Sequence, residues 1–297
     1  MSTETIELPS GLTLSIRGMK AKEMALLADD SEDEDSPRSK ERVHRKKAGG
    51  KRKNPVSAIL SGCALEVLNV GPYEAWGAVA GTLPHSEGKE QIAGPGRLPV
   101  PELLMADRFV ALTRVRAATW GDGYEFRVRC KEKTCERYKK PFLWEIPLSE
   151  LEVKPLPKAS RERVAQKQLT FEFVLGGKKA KFKLQQGLDE LNAPDLSELP
   201  KSKIFLAQCA SRLIYVEGID VTDFDNLLAW VGELDLQDVL EATSLYDSVD
   251  GGMETNTMVE CPDCGLEFDI AVPFDSQSFL LPDKKTPAGK RLAEPIS

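Results

Sequence analysis

Histidine is almost missing from this chain: 297 residues contain only His44 and His85. His44 lies in a charged run and His85 in a Pro/Gly/Ser-rich stretch. Ser-His-Asp and Cys-His chemistry needs an imidazole held in place, and neither location offers one. No apolar run approaches the roughly 18 residues of a membrane span, and the first residues do not read as a signal peptide. The expectation is a cytoplasmic product, or part of a particle assembled there. No Gly-rich phosphate loop of the P-loop or dinucleotide type occurs. Asp and Glu are abundant, but no spacing isolates an acid/base pair. The net charge of −7 gives no general attraction to nucleic acid, so any such binding needs a local patch. Together these absences argue against an enzyme.

What is present describes a soluble α+β protein of small β-hairpins and a helical block. Hydrophobic residues make up 41% and charged residues 29%, which is ordinary for such a chain. The length allows two modest cores, or one core with insertions. Five segments follow one another.

Residues 1–28 read as a hairpin-helix arm. Ile6 and Leu8 lie on one side of Pro9-Ser10-Gly11, Leu12, Leu14 and Ile16 alternate on the other, and a short helix follows over residues 20–27. Residues 29–56 read as a charged, flexible linker. An acidic cluster at 29–35 precedes a basic run at 38–53 that carries nine Lys and Arg. With almost no apolar residues, this stretch cannot build a core. It could reach on the order of 90 Å at about 3.3 Å per residue, so the arm before it could dock far away, on another chain included. The linker reads either as self-compensating charge or as a basic arm for an acidic partner or nucleic acid. The acidic cluster competes for the same basic groups.

Residues 57–160 read as a central α+β region with the first cysteine pair. A helix is expected over 57–70, with Ile59, Leu60, Cys63 and Val67 on one face. Residues 80–100 read as irregular. A helix from near Pro101 carries Leu104, Met105, Phe109, Leu112 and Val115 inward, with Asp107 and Arg108 on its polar side. Trp120-Gly121-Asp122-Gly123 is a turn into a strand that leads to Cys130, and Phe142, Trp144, Ile146 and Leu148 alternate along a second strand. Residues 161–250 read as a hairpin, turning at Gly176-Gly177, and a helical block. In that block Phe205, Leu206, Cys209 and Leu213 share a face. Thr222 reads as the N-cap of a helix with Asp225 three residues on, and Asp235 opens another helix with Leu236, Val239 and Leu240. Residues 251–297 hold the second cysteine pair, a strand alternating from Leu266 to Phe274, and a polar tail from 282.

Six cysteines are present. Cys63 and Cys209 sit among apolar neighbours and read as small core residues. The other four form two pairs. Cys261-Pro-Asp-Cys264-Gly265 is a zinc-knuckle sequence: the spacing aims both sulfurs at one ion, and Gly265 lets the backbone turn sharply. Cys130 and Cys135 are spaced at the permitted limit. An extended segment precedes each pair and an alternating strand follows it. Two such hairpins face to face make a zinc ribbon, with the 125 intervening residues an insertion or a separate layer. Cys130, Cys135, Cys261 and Cys264 are therefore the expected ligands of one structural Zn2+. The competing readings are four free thiols, or a redox dithiol at Cys261 and Cys264. Such dithiols usually sit at a helix N-terminus, and here a strand follows.

Several blocks in order resemble the T4-type bacteriophage baseplate protein family, which includes baseplate hub proteins of contractile tails. They are Glu7-Leu8-Pro9-Ser10-Gly11 with its Lys/Glu helix, and Leu60-Ser61-Gly62-Cys63-Ala64. Asp107-Arg108-Phe109, Arg114-Val115-Arg116, Trp120-Gly121 and Tyr124 follow, and then Cys-Pro-Asp-Cys-Gly, its strand and Phe279. The charged insert at 29–53 and the wide first cysteine pair depart from the family's pattern. The resemblance implies a non-catalytic structural component of the hub, located in the virion tail baseplate and made in the host cytoplasm. Its partners would be other tail proteins of a large assembly (tube, hub, spike or tape measure), with no membrane and no expected nucleic acid. The alternative is a tail assembly chaperone for the tape-measure protein. A further alternative is a zinc-ribbon nucleic-acid binder that uses residues 38–53.

Overall fold

The computed structural model describes residues 3–31, 55–87, 90–92, 95–191, 199–274 and 279–281. Most of the expected linker, His44 with it, and the tail from 282 lie outside these residues.

Strands β1 (Thr3–Glu7) and β2 (Thr13–Arg17) pair antiparallel from Thr3↔Arg17 to Glu7↔Thr13, as the alternating pattern predicts. Helix α1 (Ala21–Ser31) follows. Helix α2 (Pro55–Cys63) runs straight into β3 (Ala64–Asn69), so the helix expected over 57–70 stops seven residues early. Two tertiary contacts override the local pattern here. Arg17 donates 2.6 Å to the Gly62 carbonyl, satisfying an acceptor at the end of α2. Beyond it, β3 gains a ladder to β2 with Leu14 opposite Val67. With β4 (Gly81–Thr82) the sheet order is β1-β2-β3-β4.

That sheet corrects the expectation of a remote arm. The N-terminal hairpin shares a ladder with β3, and its Leu8, Leu12 and Ile16 belong to the main core. The buried Arg17–Glu23 ion pair, at 2.9 Å, fixes α1 beside the sheet.

Within the stretch expected to be irregular, β5 (His85–Glu87) and β6 (Glu90–Ile92) form a small hairpin. A 3-10 turn at Val100–Glu102 precedes α3 (Met105–Trp120). Asp107 and Arg108 do not lie on a polar side of α3: both are fully buried. Each is matched by groups distant in sequence. The Asp107 carboxyl accepts from the Ser10 N–H at 2.9 Å and from the Tyr73 hydroxyl at 2.6 Å. Tyr73 in turn accepts the Leu104 N–H at 2.9 Å. Arg108 pairs with Glu190 at 2.7 Å and donates to Ser57 and the Val100 carbonyl.

After α3 the chain forms a hairpin of β7 (Gly123–Val128) and β8 (Phe142–Pro147), with the short helix α4 (Glu136–Lys139) between them. Strand β9 (Val153–Lys154) and α5 (Lys158–Ala165) lead to β10 (Thr170–Leu175) and β11 (Lys178–Lys183). Their turn, Gly176-Gly177, has positive φ at both positions, the geometry that matches a two-residue hairpin.

The helical block comprises α6 (Lys201–Ala210), α7 (Phe224–Gly232) and α8 (Leu236–Val249), with β12 (Leu213–Val216) added beside β11. Leu213 is thus on a strand, not on the face of α6, and Phe205 is exposed. The cap of α7 is Asp223, whose Oδ1 accepts the Asn226 N–H at 3.1 Å. Thr222 is drawn away by two hydrogen bonds to Asp220. On α8, Val239 is buried while Leu236 and Leu240 face solvent. This block surrounds its own core, in which Phe182, Cys209, Val231 and Tyr246 are central.

Strand β13 (Gly252–Met253) pairs with β9, and β14 (Asn256–Glu260) pairs with β15 (Glu267–Ala271). The final described residues return to the main core. Phe279 and Leu280 are buried, and Trp120 donates 3.0 Å to the Leu280 carbonyl.

Candidate metal centre

Each cysteine pair sits at the tip of a two-stranded hairpin. β7 is anchored by buried Tyr124, Phe126 and Val128, and it delivers Cys130, whose N–H donates to the Arg137 carbonyl at 3.2 Å. The chain doubles back through a turn in which the Cys135 N–H donates to the Glu132 carbonyl at 3.1 Å, and Cys135 then starts α4. On the other hairpin, the Cys261 N–H donates to the Leu266 carbonyl and the Gly265 N–H to the Cys261 carbonyl, both at 2.9 Å. Gly265 takes φ +70°, a conformation that suits glycine, which is why the knuckle closes there.

The two tips meet. The Cys130 and Cys264 sulfurs are 3.6 Å apart, those of Cys135 and Cys261 3.8 Å apart, and all four lie within 4.8 Å of one another. Sulfurs at about 2.3 Å from a tetrahedral ion stand about 3.8 Å from one another, so the donor set fits such an ion. A disulfide would need about 2.05 Å. Four thiols from hairpins 126 and 134 residues apart thus converge as the spacing predicts. Cys63 and Cys209 are buried elsewhere, as expected of core residues.

The surroundings differentiate the thiols. Burial pushes Cys130 up to about 12. At Cys261 burial acts upward too, but the Asp263 and Cys264 N–H groups, with the neighbouring thiols, outweigh it and bring the group down to about 7. A hydrogen-bonded thiolate is the form that binds metal. The Glu132 N–H adds a contact to the Cys130 sulfur at 3.3 Å.

Polar contacts also join the tips. Arg137 pairs with Asp263 at 2.9 Å, and the Lys131 ammonium donates to the Asp269 carbonyl at 2.7 Å. These residues were not singled out by sequence reasoning. The signal was available: Lys and Arg crowd around the first pair, while only Asp and Glu flank the second.

The profile of the T4 bacteriophage base plate protein family matches residues 92–281. The chain belongs to this family. The matched span is 190 of 297 residues and includes both hairpins and all four cysteines. The N-terminal sheet precedes it yet contributes to the same core. No curated protein and no solved structure gives a significant match. Membership of the family suggests a virion baseplate location and tail-protein partners. Among the described residues, no helix is long and apolar enough to cross a membrane.

Proposed function

We propose that this chain is a non-catalytic structural component of the baseplate hub of a contractile phage tail or a related injection machine. In this reading it binds neighbouring tail proteins, and Cys130, Cys135, Cys261 and Cys264 hold one structural zinc ion. The observation that carries the reading is the convergence of four thiols inside the span matched by a baseplate family. Four thiolates fill a tetrahedral ion and leave no position for water or substrate. An all-sulfur tetrahedral set suits zinc or iron, and metal analysis separates the two. The ion would join the central region to the C-terminal hairpin and contribute folding free energy directly.

Mass spectrometry of purified virions tests the assignment to the particle. Recovery of the chain in stoichiometric amount with other baseplate proteins is expected. A chain present in assembly intermediates but missing from mature particles would replace the hub reading with that of an assembly chaperone.

A further inference from the structure

Arg212 is the last basic residue before Lys284: residues 213–283 contain no Lys or Arg, against 17 Asp and Glu. Helices α7 and α8 lie inside this stretch, and residues 223–249 hold seven of the acids. None of the seven has an ion pair among the described residues. The cations of neighbouring elements are bound or aimed elsewhere. Arg212 pairs with Asp250 at 3.5 Å, Lys178 donates to the Glu217 carbonyl at 3.1 Å, and Lys154 donates to the Asp247 carbonyl near the end of α8. On β11, Ala180 and Phe182 enter the core shared with the helices, so Lys179, Lys181 and Lys183 stand on the opposite face of the sheet. Lys201 and Lys203, at the start of α6, are the only cations of the three helices.

Charge alone names no site, and the second observation is apolar. Helix α8 buries Val239, Ala242 and Tyr246. On its other side Leu236 is 65% and Leu240 51% exposed. One exposed leucine means little, but residues four apart on a helix are neighbours, about 6 Å between Cβ atoms. The two leucines therefore form a continuous aliphatic strip. Gln237 and Glu241, joined side chain to side chain at 2.9 Å, run beside it. Exposed Asp247 continues the same face, and exposed Glu233 and Asp235 stand at the turn from α7.

We propose that this face of α8 docks a basic amphipathic helix of another protein, with apolar side chains on Leu236 and Leu240 and Lys or Arg against the surrounding carboxylates. Each property of the occupant follows from the face. A helix has no free backbone ladder, so an extended peptide gains no main-chain hydrogen bonds there, whereas a second helix packs ridges into grooves. An unpaired acidic surround attracts Lys and Arg and repels nucleic acid and anionic lipid. It also repels the same face of a second copy. The chain's own basic run at 38–53 has the charge, but Val43 and Ala48 are its only aliphatic residues. Five positions apart, they would stand about 140° apart around a helix and form no strip.

Fluorescence anisotropy tests the proposal, using the full-length, metal-replete protein and a labelled synthetic Leu/Lys helix whose leucines recur every three or four residues on one face. Binding that salt weakens is expected. Leu236→Ser/Leu240→Ser removes the strip and should weaken it at least about tenfold. Glu233→Lys/Glu241→Lys reverses its border and should do the same. All four residues are exposed, so the urea midpoint should be unchanged in both variants. In the wild type, binding should slow amide exchange in α8 and leave β14 and β15 unchanged. Absence of binding, binding that either variant leaves intact, or protection away from α8 overturns the proposal. So does equal binding of a peptide with serine in place of its leucines, or of a peptide of residues 38–53, which would assign the face to the chain's own basic run. The inference rests on the reading of a chain that works by binding neighbours, yet fails separately from it: peptide binding can be absent while virions still contain the chain.

Discussion

Tyr73 and Tyr246 are both buried, in different cores, and they provide an internal comparison. The Tyr73 hydroxyl donates to Asp107 at 2.6 Å and accepts the Leu104 N–H at 2.9 Å. The only hydrogen-bond contact of the Tyr246 hydroxyl among the described residues is the Cys209 sulfur, at 3.9 Å. Replacing either tyrosine by phenylalanine keeps the ring and removes the oxygen. At Tyr73 the loss of a hydrogen bond to a carboxyl group and the orphaning of a buried N–H together cost about 2–5 kcal/mol. At Tyr246 a long contact to sulfur is lost and the cost is under about 1 kcal/mol. Urea unfolding measures both: Tyr73→Phe should lower the midpoint clearly at unchanged slope, and Tyr246→Phe should barely move it. Equal effects would refute the reasoning that the Tyr73 hydroxyl, held between the Asp107 carboxyl and the Leu104 N–H, contributes more stability than the Tyr246 hydroxyl.

Three further outcomes are expected. Cys264→Ser should lower metal content and loosen the join between the hairpins, read as increased amide exchange in β14 and β15 with that in β10 and β11 unchanged. Glu23→Ala should cost about 3–5 kcal/mol, because it leaves the Arg17 guanidinium buried without its partner. Burial acts to raise the Glu23 carboxyl, but the Arg17 hydrogen bond and charge outweigh it and hold it below the ordinary value of 4.5. Its contribution is therefore present above that value and is lost as pH falls through the lower folded value, so wild type and Glu23→Ala should converge in stability on acidification. Gly96→Ala should destabilise by about 1–3 kcal/mol or more, since the added carbon would lie 2.1 Å from the Gly81 carbonyl oxygen. Thermal unfolding checks it.

Local signals were read well. The Pro9–Gly11 hairpin, the Gly176-Gly177 turn and the alternation after each cysteine pair all depend on neighbours in sequence, and the structure has them. The cluster of four cysteines was legible for the same reason: each half is a short motif, and the converging partner was the one other cysteine pair. What was missed depends on distant partners. Nothing between residues 57 and 70 announces that Val67 will stand opposite Leu14. Asp107 and Arg108 look like a polar face until Ser10, Tyr73 and Glu190 are brought to them. Thr222 is as good a cap as Asp223 on paper, and the Asp220 carboxylate decides between them. The N-terminal arm looked remote because a charged stretch follows it, yet burial of Leu8, Leu12 and Ile16 makes it part of the core.

The central claim is that four cysteines hold one structural zinc in a baseplate component. Its most direct test is the metal content of the full-length chain, purified under reducing conditions without chelators and measured by inductively coupled plasma mass spectrometry. One zinc ion per chain is predicted, falling when Cys264 is replaced by serine. Protein that is folded yet carries neither zinc nor another metal would contradict it.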